Sequence, residues 1–328
     1  MPNIAMFGAG RIGKIHAENI HAYPECRVAA VIDPFEDAAK ALAESVNAEV
    51  MSVDDAMTHS DIDAVFICSA TDTHADLIEL AAKNGKAIFC EKPIDLSIDR
   101  VRDCLQVVEQ HNAMLMVGFN RRFDPNISGM RQHYEEGQIG KAESLTIISR
   151  DPAPPPVSYI KVSGGMFRDM TIHDFDIARF MIGEDVVAVT AHGSNMVDQE
   201  IGDAGDIDTG VIVLEFESGV MATIINSRRS GYGYDQRLEF HGSRGLIRVN
   251  NIKESELDVW GTESCNSAKP MHFFLERYKQ AYAIELQHFI DVFAGRAALS
   301  CSGSDGLKAL ELAEAAIESL STGTKILL

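Results

Sequence analysis

Short apolar runs alternate with longer amphipathic stretches over the first part of the chain. Apolar strands that are separated by helices are typical of a parallel sheet covered on both faces, and right-handed crossovers then produce a doubly wound α/β fold. The predicted strands are Ile4–Phe7, Val28–Ile32, Ala64–Ile67, Ala87–Cys90 and Met114–Phe119, and the main predicted helices are Ala38–Val46, Ala75–Lys83 and Ile98–His111. We therefore predict that residues 1–122 form one α/β domain.

The pattern changes after about residue 123, where strand-like runs follow one another without helices between them. Two of these runs are separated by Glu217-Ser218-Gly219, which is typical of a tight hairpin. The predicted strands are Ser144–Ser149, Val186–Ser194, Thr209–Phe216, Val220–Ser227, Arg237–His241 and Leu246–Val249, and helical periodicity occurs near residues 125–136, 169–182, 277–293 and 305–321. Residues 123–328 are therefore predicted to form an α+β domain with a large, mostly antiparallel sheet. The last helices could pack on either domain.

The chain of 328 residues is strongly acidic, with 29 lysines and arginines, 49 aspartates and glutamates, and a net charge of −20. Phosphate backbones and anionic lipid surfaces repel such a chain, so no nucleic acid and no membrane is expected as a partner. No apolar run approaches the ~20 residues that span a bilayer. The six cysteines are scattered and form no C-x-x-C pair, which is typical of reduced thiols in a cytoplasmic protein. These features favour a cytoplasmic enzyme that acts on small molecules.

A glycine-rich turn, Gly8-Ala9-Gly10-Arg11-Ile12-Gly13, follows the first predicted strand and opens a helix. In the G-x-G-x-x-G pattern of Rossmann domains, the glycines permit a tight turn, close approach of a pyrophosphate and close helix packing. Asp33 ends the second strand, where a carboxylate can bind both ribose hydroxyls of an adenosine. This carboxylate would repel a 2′-phosphate, and the next cation along the chain is Lys40. We therefore predict a Rossmann domain that binds NAD rather than NADP through Gly8, Gly10, Arg11, Ile12, Gly13 and Asp33.

Polar residues also follow the later strands of this domain, at the sheet edge where ligands of doubly wound folds bind. Ser69, Thr71 and His74 come after the third predicted strand, although Thr71 could instead cap a helix and His74 could be structural. Glu91 and Lys92 come after the fourth, and the proline that follows restricts the backbone of Lys92. A lysine in this place could also be a solvated strand end. We predict cofactor contacts for these five residues.

A helical stretch that begins at Asp169 places two carboxylates and an imidazole on one face. At about 100° per residue, Asp169, His173 and Asp176 fall within a narrow arc, whereas Ile172 and Phe175 occupy another arc that would face the core. A carboxylate beside an imidazole can fix its tautomer and keep it basic, as a general base near neutral pH requires. A solvated polar face has the same spacing. A metal site is also conceivable, but no His or Cys cluster completes a tetrahedral set, and no metal is predicted.

Four motifs together resemble the glucose–fructose oxidoreductase/inositol dehydrogenase family. They are GAGRIG after the first strand, EKP at 91–93, GFNRRFD at 118–124 and GGMFRDMTIHDFD at 164–176. The resemblance spans the whole chain, and EKP combined with D-x-x-x-H after paired glycines is its most specific part. The sequence is most similar to the bacterial inositol 2-dehydrogenases of this family. The resemblance implies NAD-dependent oxidation of a ring hydroxyl of a cyclic polyol, above all myo-inositol to 2-keto-myo-inositol.

The resemblance also implies roles for individual residues. The predicted catalytic residues are Lys92, which would hydrogen-bond the reacting hydroxyl and the nicotinamide ribose, and His173, which would take the hydroxyl proton. Asp169 would orient and support the charge of these two residues. All three would contact the substrate.

Further polyol contacts are implied for Asp176, Arg121, Asp151 and Tyr232. Asp151 could equally be a turn residue, and Tyr232 a sheet-edge aromatic. Some inositol dehydrogenases have a methionine where this chain has Asn120, which leaves the orientation of the ring open.

Other functions stay open. The substrate could be another inositol isomer or an aldose, and a redox-cycling glycosidase of the same family would form product without net NADH. An NAD-binding sensor without catalysis would not need Lys92, Asp169 and His173 together. The family also implies a homotetramer that assembles through the open face of the second sheet, although the chain's own helices could cover that face.

Overall fold

The N-terminal apolar runs form a six-stranded parallel sheet in the order β3-β2-β1-β4-β5-β6. Its strands are β1 Asn3–Phe7, β2 Arg27–Ile32, β3 Glu49–Val50, β4 Ala64–Ile67, β5 Ala87–Glu91 and β6 Leu115–Gly118. This strand order is that of the Rossmann fold, so the predicted doubly wound sheet is confirmed. Strands β1, β4 and β6 are buried along their whole length or nearly so, as expected for a sheet covered on both faces.

Five helices connect these strands, namely α1 Arg11–Ala22, α2 Glu36–Val46, α3 Val53–Thr58, α4 His74–Lys83 and α5 Ile98–Gln110. Two of them begin with a serine cap, because the Ser52 hydroxyl accepts from the Asp55 amide and the Ser97 hydroxyl from the Arg100 amide. The predicted helices lie within two residues of the observed ones. Strand β3 and helix α3 were not predicted, because β3 is two exposed residues and offers no apolar run.

The second sheet has seven strands in the order β12-β11-β7-β10-β9-β8-β15. Strands β7 and β10 are parallel and all other neighbours are antiparallel, so the predicted mostly antiparallel sheet is confirmed. Its strands are β7 Ala142–Arg150, β8 Val186–Ser194, β9 Thr209–Phe216, β10 Met221–Ser227, β11 Asp235–Gly242, β12 Gly245–Val249 and β15 Ile326–Leu327. The hairpin β9–β10 turns at Gly219, whose φ of 86° favours glycine. A separate hairpin joins β13 Asp258–Trp260 to β14 Cys265–Ser267.

Seven further helices follow along the chain, and several of them pack against one face of this sheet. They are α6 Pro125–Glu135, α7 Val157–Ser163, α8 Ile172–Ile182, α9 Gln199–Asp203, α10 Phe274–Arg277, α11 Lys279–Phe293 and α12 Gly303–Thr322, of which α11 and the first part of α12 belong to the other sheet. Phe175 of α8, Leu312 of α12 and Phe240 of β11 belong to one buried core, and burying each such side chain contributes about 1.5–3 kcal/mol. The predicted helix over 169–182 differs in its first turn, which is a π-helix at Phe167–Thr171.

The structure is a computed structural model that describes all 328 residues as two compact units. Unit 1 consists of residues 1–120 and 281–310, and unit 2 of residues 121–280 and 311–328. The C-terminal helices are therefore shared, since α11 lies almost wholly in unit 1 and α12 contributes its first residues to unit 1 and the rest to unit 2. None of the helices is both long enough and apolar enough to span a membrane.

Candidate active site

The register of the parallel sheet collects several predicted cofactor residues at one edge of unit 1. Phe7 at the end of β1 is paired with Ile32 of β2 and with Ile67 of β4. The residues that follow these strands, among them Gly8 and Asp33, therefore leave the sheet at the same edge. The carboxyl ends of the strands form the ligand-binding edge of a doubly wound sheet.

The glycines of the turn are required by close contacts. Gly8 has a φ of 104°, and a Cβ added to it would lie 2.5 Å from the carbonyl oxygen of Cys68. A Cβ on Gly13 would overlap the carbonyl oxygen of Gly8, whereas a Cβ on Gly10 would meet nothing within 4 Å. Helix α1 begins at Arg11 without a side-chain cap. The N-terminus of a helix favours anions, and the space beside Gly10 fits the approach of a dinucleotide pyrophosphate.

Asp33 ties the second strand to the glycine turn. Its Oδ2 accepts a hydrogen bond from the Ala9 amide at 2.7 Å, and its Oδ1 accepts one from the Phe35 amide at 2.8 Å. Each carboxylate oxygen retains a second lone pair, so Asp33 is held in place and can still accept from ribose hydroxyls. The arrangement fits the adenosine half of NAD.

His74 connects the two loops that carry the other predicted cofactor residues. Its ring is buried, with Nδ1 at 2.8 Å from the carbonyl oxygen of Pro93 and Nε2 at 3.1 Å from that of Ser69. Both ring nitrogens thus face protein carbonyls, and the side chain holds the Ser69 loop against the loop that follows Lys92. The Ser69 hydroxyl is hydrogen-bonded to that of Thr73 at 2.7 Å, and Thr71 opens a 3₁₀ turn.

Glu91 and Lys92 lie at the end of β5, and the Lys92–Pro93 peptide bond is cis. The Glu91 carboxylate is 2.9 Å from Nε2 of His16, which is buried in α1. Burial first, and then the Glu91 charge, raise the pKa of Glu285 well above its ordinary value. Neither carboxyl oxygen of Glu285 has a hydrogen-bond partner. Unit 1 therefore holds a partly buried carboxylate, Glu91, that precedes the predicted catalytic lysine and acts on the fully buried Glu285.

In unit 2, Asp169 lies in the π-helical turn and His173 in the first turn of α8. Such π-helical turns are frequent at functional sites. Asp169 accepts a hydrogen bond from the Tyr159 hydroxyl at 2.9 Å, and its Oδ2 lies 3.6 Å from Nη1 of Arg228. Ile172 is buried, as the helical arc predicted. The structure thus places Asp169 and His173 on one short segment of unit 2.

Two consecutive arginines pair with two carboxylates of α8. Arg121 donates to Asp174 at 2.6 Å, and Arg122 forms a bidentate pair with Asp176 at 2.8 and 2.5 Å. All four side chains are buried. Arg121 and Asp176 stay predicted as polyol contacts, and the structure adds that both already have protein partners. The pairing of Arg122 was missed, because neighbouring arginines at a domain junction do not show which carboxylates they will meet.

Asp151 and Tyr232 differ in their surroundings. Loss of solvent raises the pKa of Asp151 to about 6, although Arg228 and Arg121 act in the opposite direction. The Tyr232 hydroxyl donates to Asp235 at 2.6 Å and accepts from Arg150 at 3.0 Å, and the ring is half exposed. Arg228 was missed by the sequence analysis, since an arginine directly after a strand gives no sign of being buried.

Comparison with known proteins covers both units. Residues 2–119 match the model described as "Oxidoreductase family, NAD-binding Rossmann fold", and residues 127–248 match the GFO/IDH/MocA C-terminal domain. The chain is 51% identical to an inositol 2-dehydrogenase of Rhizobium meliloti, over 98% of this chain and 97% of that protein. It is 44% identical to a myo-inositol 2-dehydrogenase of Thermotoga maritima, over 97% of this chain and 96% of that protein.

Solved structures agree along the full length. A myo-inositol dehydrogenase from Corynebacterium glutamicum has a TM-score of 0.96 at 44% identity, with 100% of this chain and 99% of that chain covered. A scyllo-inositol dehydrogenase from Lactobacillus casei, solved with NAD(H) and scyllo-inositol, has a TM-score of 0.92 at 30% identity, with the same coverage. The family resemblance is therefore confirmed: the chain belongs to the GFO/IDH/MocA oxidoreductases, with an N-terminal NAD-binding Rossmann domain.

Proposed function

We propose that this protein is an NAD-dependent dehydrogenase that oxidises a ring hydroxyl of a cyclic polyol, with myo-inositol converted to 2-keto-myo-inositol. The observation that carries the proposal is the full-length similarity to an inositol 2-dehydrogenase at 51% identity, together with the presence of Lys92, Asp169 and His173 in this chain. We assign NAD binding to residues 1–122 and polyol binding to residues 123–328. The two assignments rest on the glycine turn of the first segment and the Asp169–His173 turn of the second.

Three residues divide the chemistry of the proposed reaction. An alcohol is too weak an acid to lose its proton unaided at neutral pH, so negative charge that develops on its oxygen needs support. His173 takes the hydroxyl proton as general base, and the ammonium group of Lys92 donates a hydrogen bond to the same oxygen. Asp169 orients these two groups and offsets their charge. NAD, when bound, accepts the hydride that leaves the carbon, so the alcohol is oxidised to a ketone by two electrons.

The proposed polyol contacts are Asp151, Asp176, Arg121 and Tyr232, in addition to the three catalytic residues. Carboxylates accept hydrogen bonds from ring hydroxyls and arginines donate to them, which suits a neutral ligand with a hydroxyl on every carbon. The proposed cofactor contacts are Gly8, Gly10, Arg11, Ile12, Gly13, Asp33, Ser69, Thr71, His74, Glu91 and Lys92. Asp33 supports the choice of NAD over NADP, because its carboxylate would repel a 2′-phosphate.

The test is NADH formation, followed by its absorbance, with purified protein, NAD and a panel of myo-, scyllo- and chiro-inositol, glucose and xylose. We expect turnover with myo-inositol, and His173→Ala and Lys92→Ala should each lower kcat by ~10²-fold or more while NAD affinity is retained. His192→Ala, at an exposed position of β8, is the matched control and should be unchanged. Absence of NADH with every polyol, despite tight NAD binding, would overturn the proposal.

A second substrate is favoured by one observation, since a scyllo-inositol 2-dehydrogenase (NAD(+)) of Bacillus subtilis is 34% identical over 98% of this chain. The ratio of kcat/KM for myo- and scyllo-inositol distinguishes the two. Product formed from a glycoside without net NADH would instead indicate the redox-cycling glycosidase.

We also propose that the protein is a cytoplasmic homotetramer. The face of the seven-stranded sheet that points away from the core carries exposed apolar side chains, including Val211, Met221 and Leu246. Exposed apolar side chains on a sheet face support an interface with other copies of the chain. Light scattering should give four times the mass of the 35.9 kDa chain, and a monomer would reject the assembly.

A further inference from the structure

Arg228 is a buried cation in unit 2, immediately after β10. Its side chain is 1% exposed, and its backbone amide donates to the carbonyl oxygen of Asp208 at 2.8 Å. The guanidinium lies between two carboxylates, with Nη1 at 3.6 Å from Oδ2 of Asp169 and Nη2 at 3.5 Å from Oδ2 of Asp206. These separations allow strong charge attraction but exceed those of ordinary hydrogen bonds. Arg228 is thus shared between the two carboxylates.

The hydrogen-bonding capacity of this cluster is incompletely used. Nε and Nη2 of Arg228 and Oδ2 of Asp206 are buried and have no hydrogen-bond partner. An arginine that served only to stabilise the fold would be expected to form close, bidentate pairs, as Arg122 does with Asp176 in the same unit. Leaving such groups unsatisfied is costly, so the arrangement calls for an explanation other than stability.

Each carboxylate is also held by another element. Asp206 accepts a hydrogen bond at Oδ1 from the Met166 amide at 3.0 Å, which fixes it to the backbone directly before the π-helical turn. Asp169 is held by the Tyr159 hydroxyl. Arg228 therefore cannot approach one carboxylate fully without withdrawing from the other, and its position depends on the balance between them.

A third carboxylate responds to the same cation. The groups that act on Asp151 are Arg228 and Arg121, which lower its pKa, and Asp169 and Asp174, which raise it, in addition to the larger effect of burial. Arg228 is the largest of the charge effects on Asp151 and also lies 3.6 Å from Asp169, so the two carboxylates share one guanidinium as a counter-charge. Neither carboxylate can be considered separately from it.

We propose that Arg228 is a positioning residue of the dehydrogenase reaction, which orients Asp169 and supplies the shared counter-charge of Asp151 and Asp169, while Asp206 limits how closely it approaches them. The inference rests on the proposed function, in which Asp169 supports the catalytic base and Asp151 contacts the polyol. In this role Arg228 acts through the two aspartates and contacts neither the reacting atoms nor the cofactor.

The direction of the effect follows from the charges. Without the Arg228 cation, Asp151 keeps only Arg121 against burial and two neighbouring carboxylates, so its pKa should rise above about 6. An opposite charge within a few Å typically shifts a carboxyl pKa by about one unit or more. The acidic limb of the pH profile, where kcat/KM for myo-inositol falls as Asp151 becomes protonated, should then move to higher pH. Replacement of Asp206 removes the competing anion and leaves Arg228 in place, so the limb should not move upward.

The experiment compares four variants over about pH 5 to 9. Arg228→Gln should raise the acidic limb by about one pH unit and lower kcat/KM for myo-inositol at pH 7 by ~10-fold, with KM for NAD unchanged. Arg228→Lys, which keeps the charge, should restore most of the difference. Asp206→Asn should leave the limb at or below its original pH. Arg229→Gln is the matched control, because Arg229 is the next residue and is exposed.

A second measurement does not depend on turnover. Infrared difference titration of the protein without substrate or cofactor, with Asp151→Asn used to identify the band, should show the Asp151 carboxyl titrating at higher pH in Arg228→Gln than in Arg229→Gln. The positioning role is wrong if Arg228→Gln and Arg229→Gln have the same acidic limb of kcat/KM and the same Asp151 titration. It is also wrong if Asp206→Asn moves the acidic limb upward as far as Arg228→Gln does. If the original protein oxidises no polyol, the proposed function fails, while the infrared result still decides on Arg228.

Discussion

Glu285 offers the sharpest test of the electrostatics of unit 1. The residue lies on α11, is fully buried, and has no hydrogen-bond partner at either carboxyl oxygen. Burial and, to a smaller extent, the charge of Glu91 raise its pKa well above the ordinary value. The folded protein therefore holds a proton on Glu285 at a pH at which the unfolded chain, with an ordinary pKa of about 4.3, has already released it.

The sign of the stability effect follows from this difference in bound protons. The folded pKa is raised, so the stability contribution is fully present below the unfolded pKa and is lost as the pH rises toward the folded pKa. Between those two values, the free energy of unfolding falls by about 1.4 kcal/mol for each pH unit through this group alone. Glu285→Gln has nearly the same shape and no proton to lose. The free energy of unfolding of Glu285→Gln, relative to that of the original protein, should therefore rise by about 1.4 kcal/mol per pH unit above about pH 5.

Urea unfolding followed by circular dichroism at several pH values between about 4.5 and 7 measures this difference. The matched control is Glu318→Gln on α12, because Glu318 is exposed, and its difference from the original protein should stay constant with pH. A Glu285→Gln difference that is equally independent of pH would refute the reasoning, because it would mean that Glu285 is ionised in the folded state.

Three further predictions follow from close contacts. Gly13→Ala should lower the melting temperature, because the added Cβ overlaps the Gly8 carbonyl oxygen. Gly10→Ala should keep the melting temperature and weaken NAD binding in a calorimetric titration, because its Cβ meets nothing in the protein. An equal loss of melting temperature in the two variants would contradict this. Asp176→Ala should lower the free energy of unfolding by about 3 to 5 kcal/mol, since it removes the carboxylate that pairs bidentately with the buried Arg122 guanidinium. A loss below about 1 kcal/mol in urea would argue against a strong buried pair. Asp33→Ala should reduce the ratio of kcat/KM for NAD to that for NADP, and an unchanged ratio would remove Asp33 from cofactor choice.

The sheet of unit 1 was largely predictable because its strands are buried on both faces. Ala64–Ile67 was predicted with both of its ends correct, since a fully apolar run between polar residues marks a buried parallel strand. Glu49–Val50 was missed because a two-residue exposed strand has no hydrophobic pattern. In unit 2, alternation located the strands but could not show that β7 and β10 are parallel neighbours, because periodicity reports which face is buried and not which strand lies alongside.

The candidate site was predictable only where chemistry is local in sequence. The glycine turn and Asp33 follow a short pattern whose geometry depends on the residues themselves, and the structure joins them through the Ala9 amide. Arg228 and Asp206 are 22 residues apart in the chain by their numbers, and nothing in either neighbourhood indicates a buried ion pair. Their contact arises from the sheet and the π-helical turn, which are tertiary features.

The acidic residues of the π-helical turn and of the helix after it have different charge partners, which helical spacing did not predict. Helical spacing placed Asp169, His173 and Asp176 on one face, and it gave Asp174 no role. In the structure both Asp174 and Asp176 are buried and paired with arginine, so both are held by fixed charges, whereas Asp169 shares Arg228 at longer range. Asp176 is held in a bidentate pair, whereas Asp174 accepts from one nitrogen of its arginine. Asp169 combines the more distant arginine with a hydrogen bond from the Tyr159 hydroxyl at 2.9 Å. The partner of each carboxylate is set by the tertiary fold, because helical spacing shows which residues share a face and not which charge each one meets.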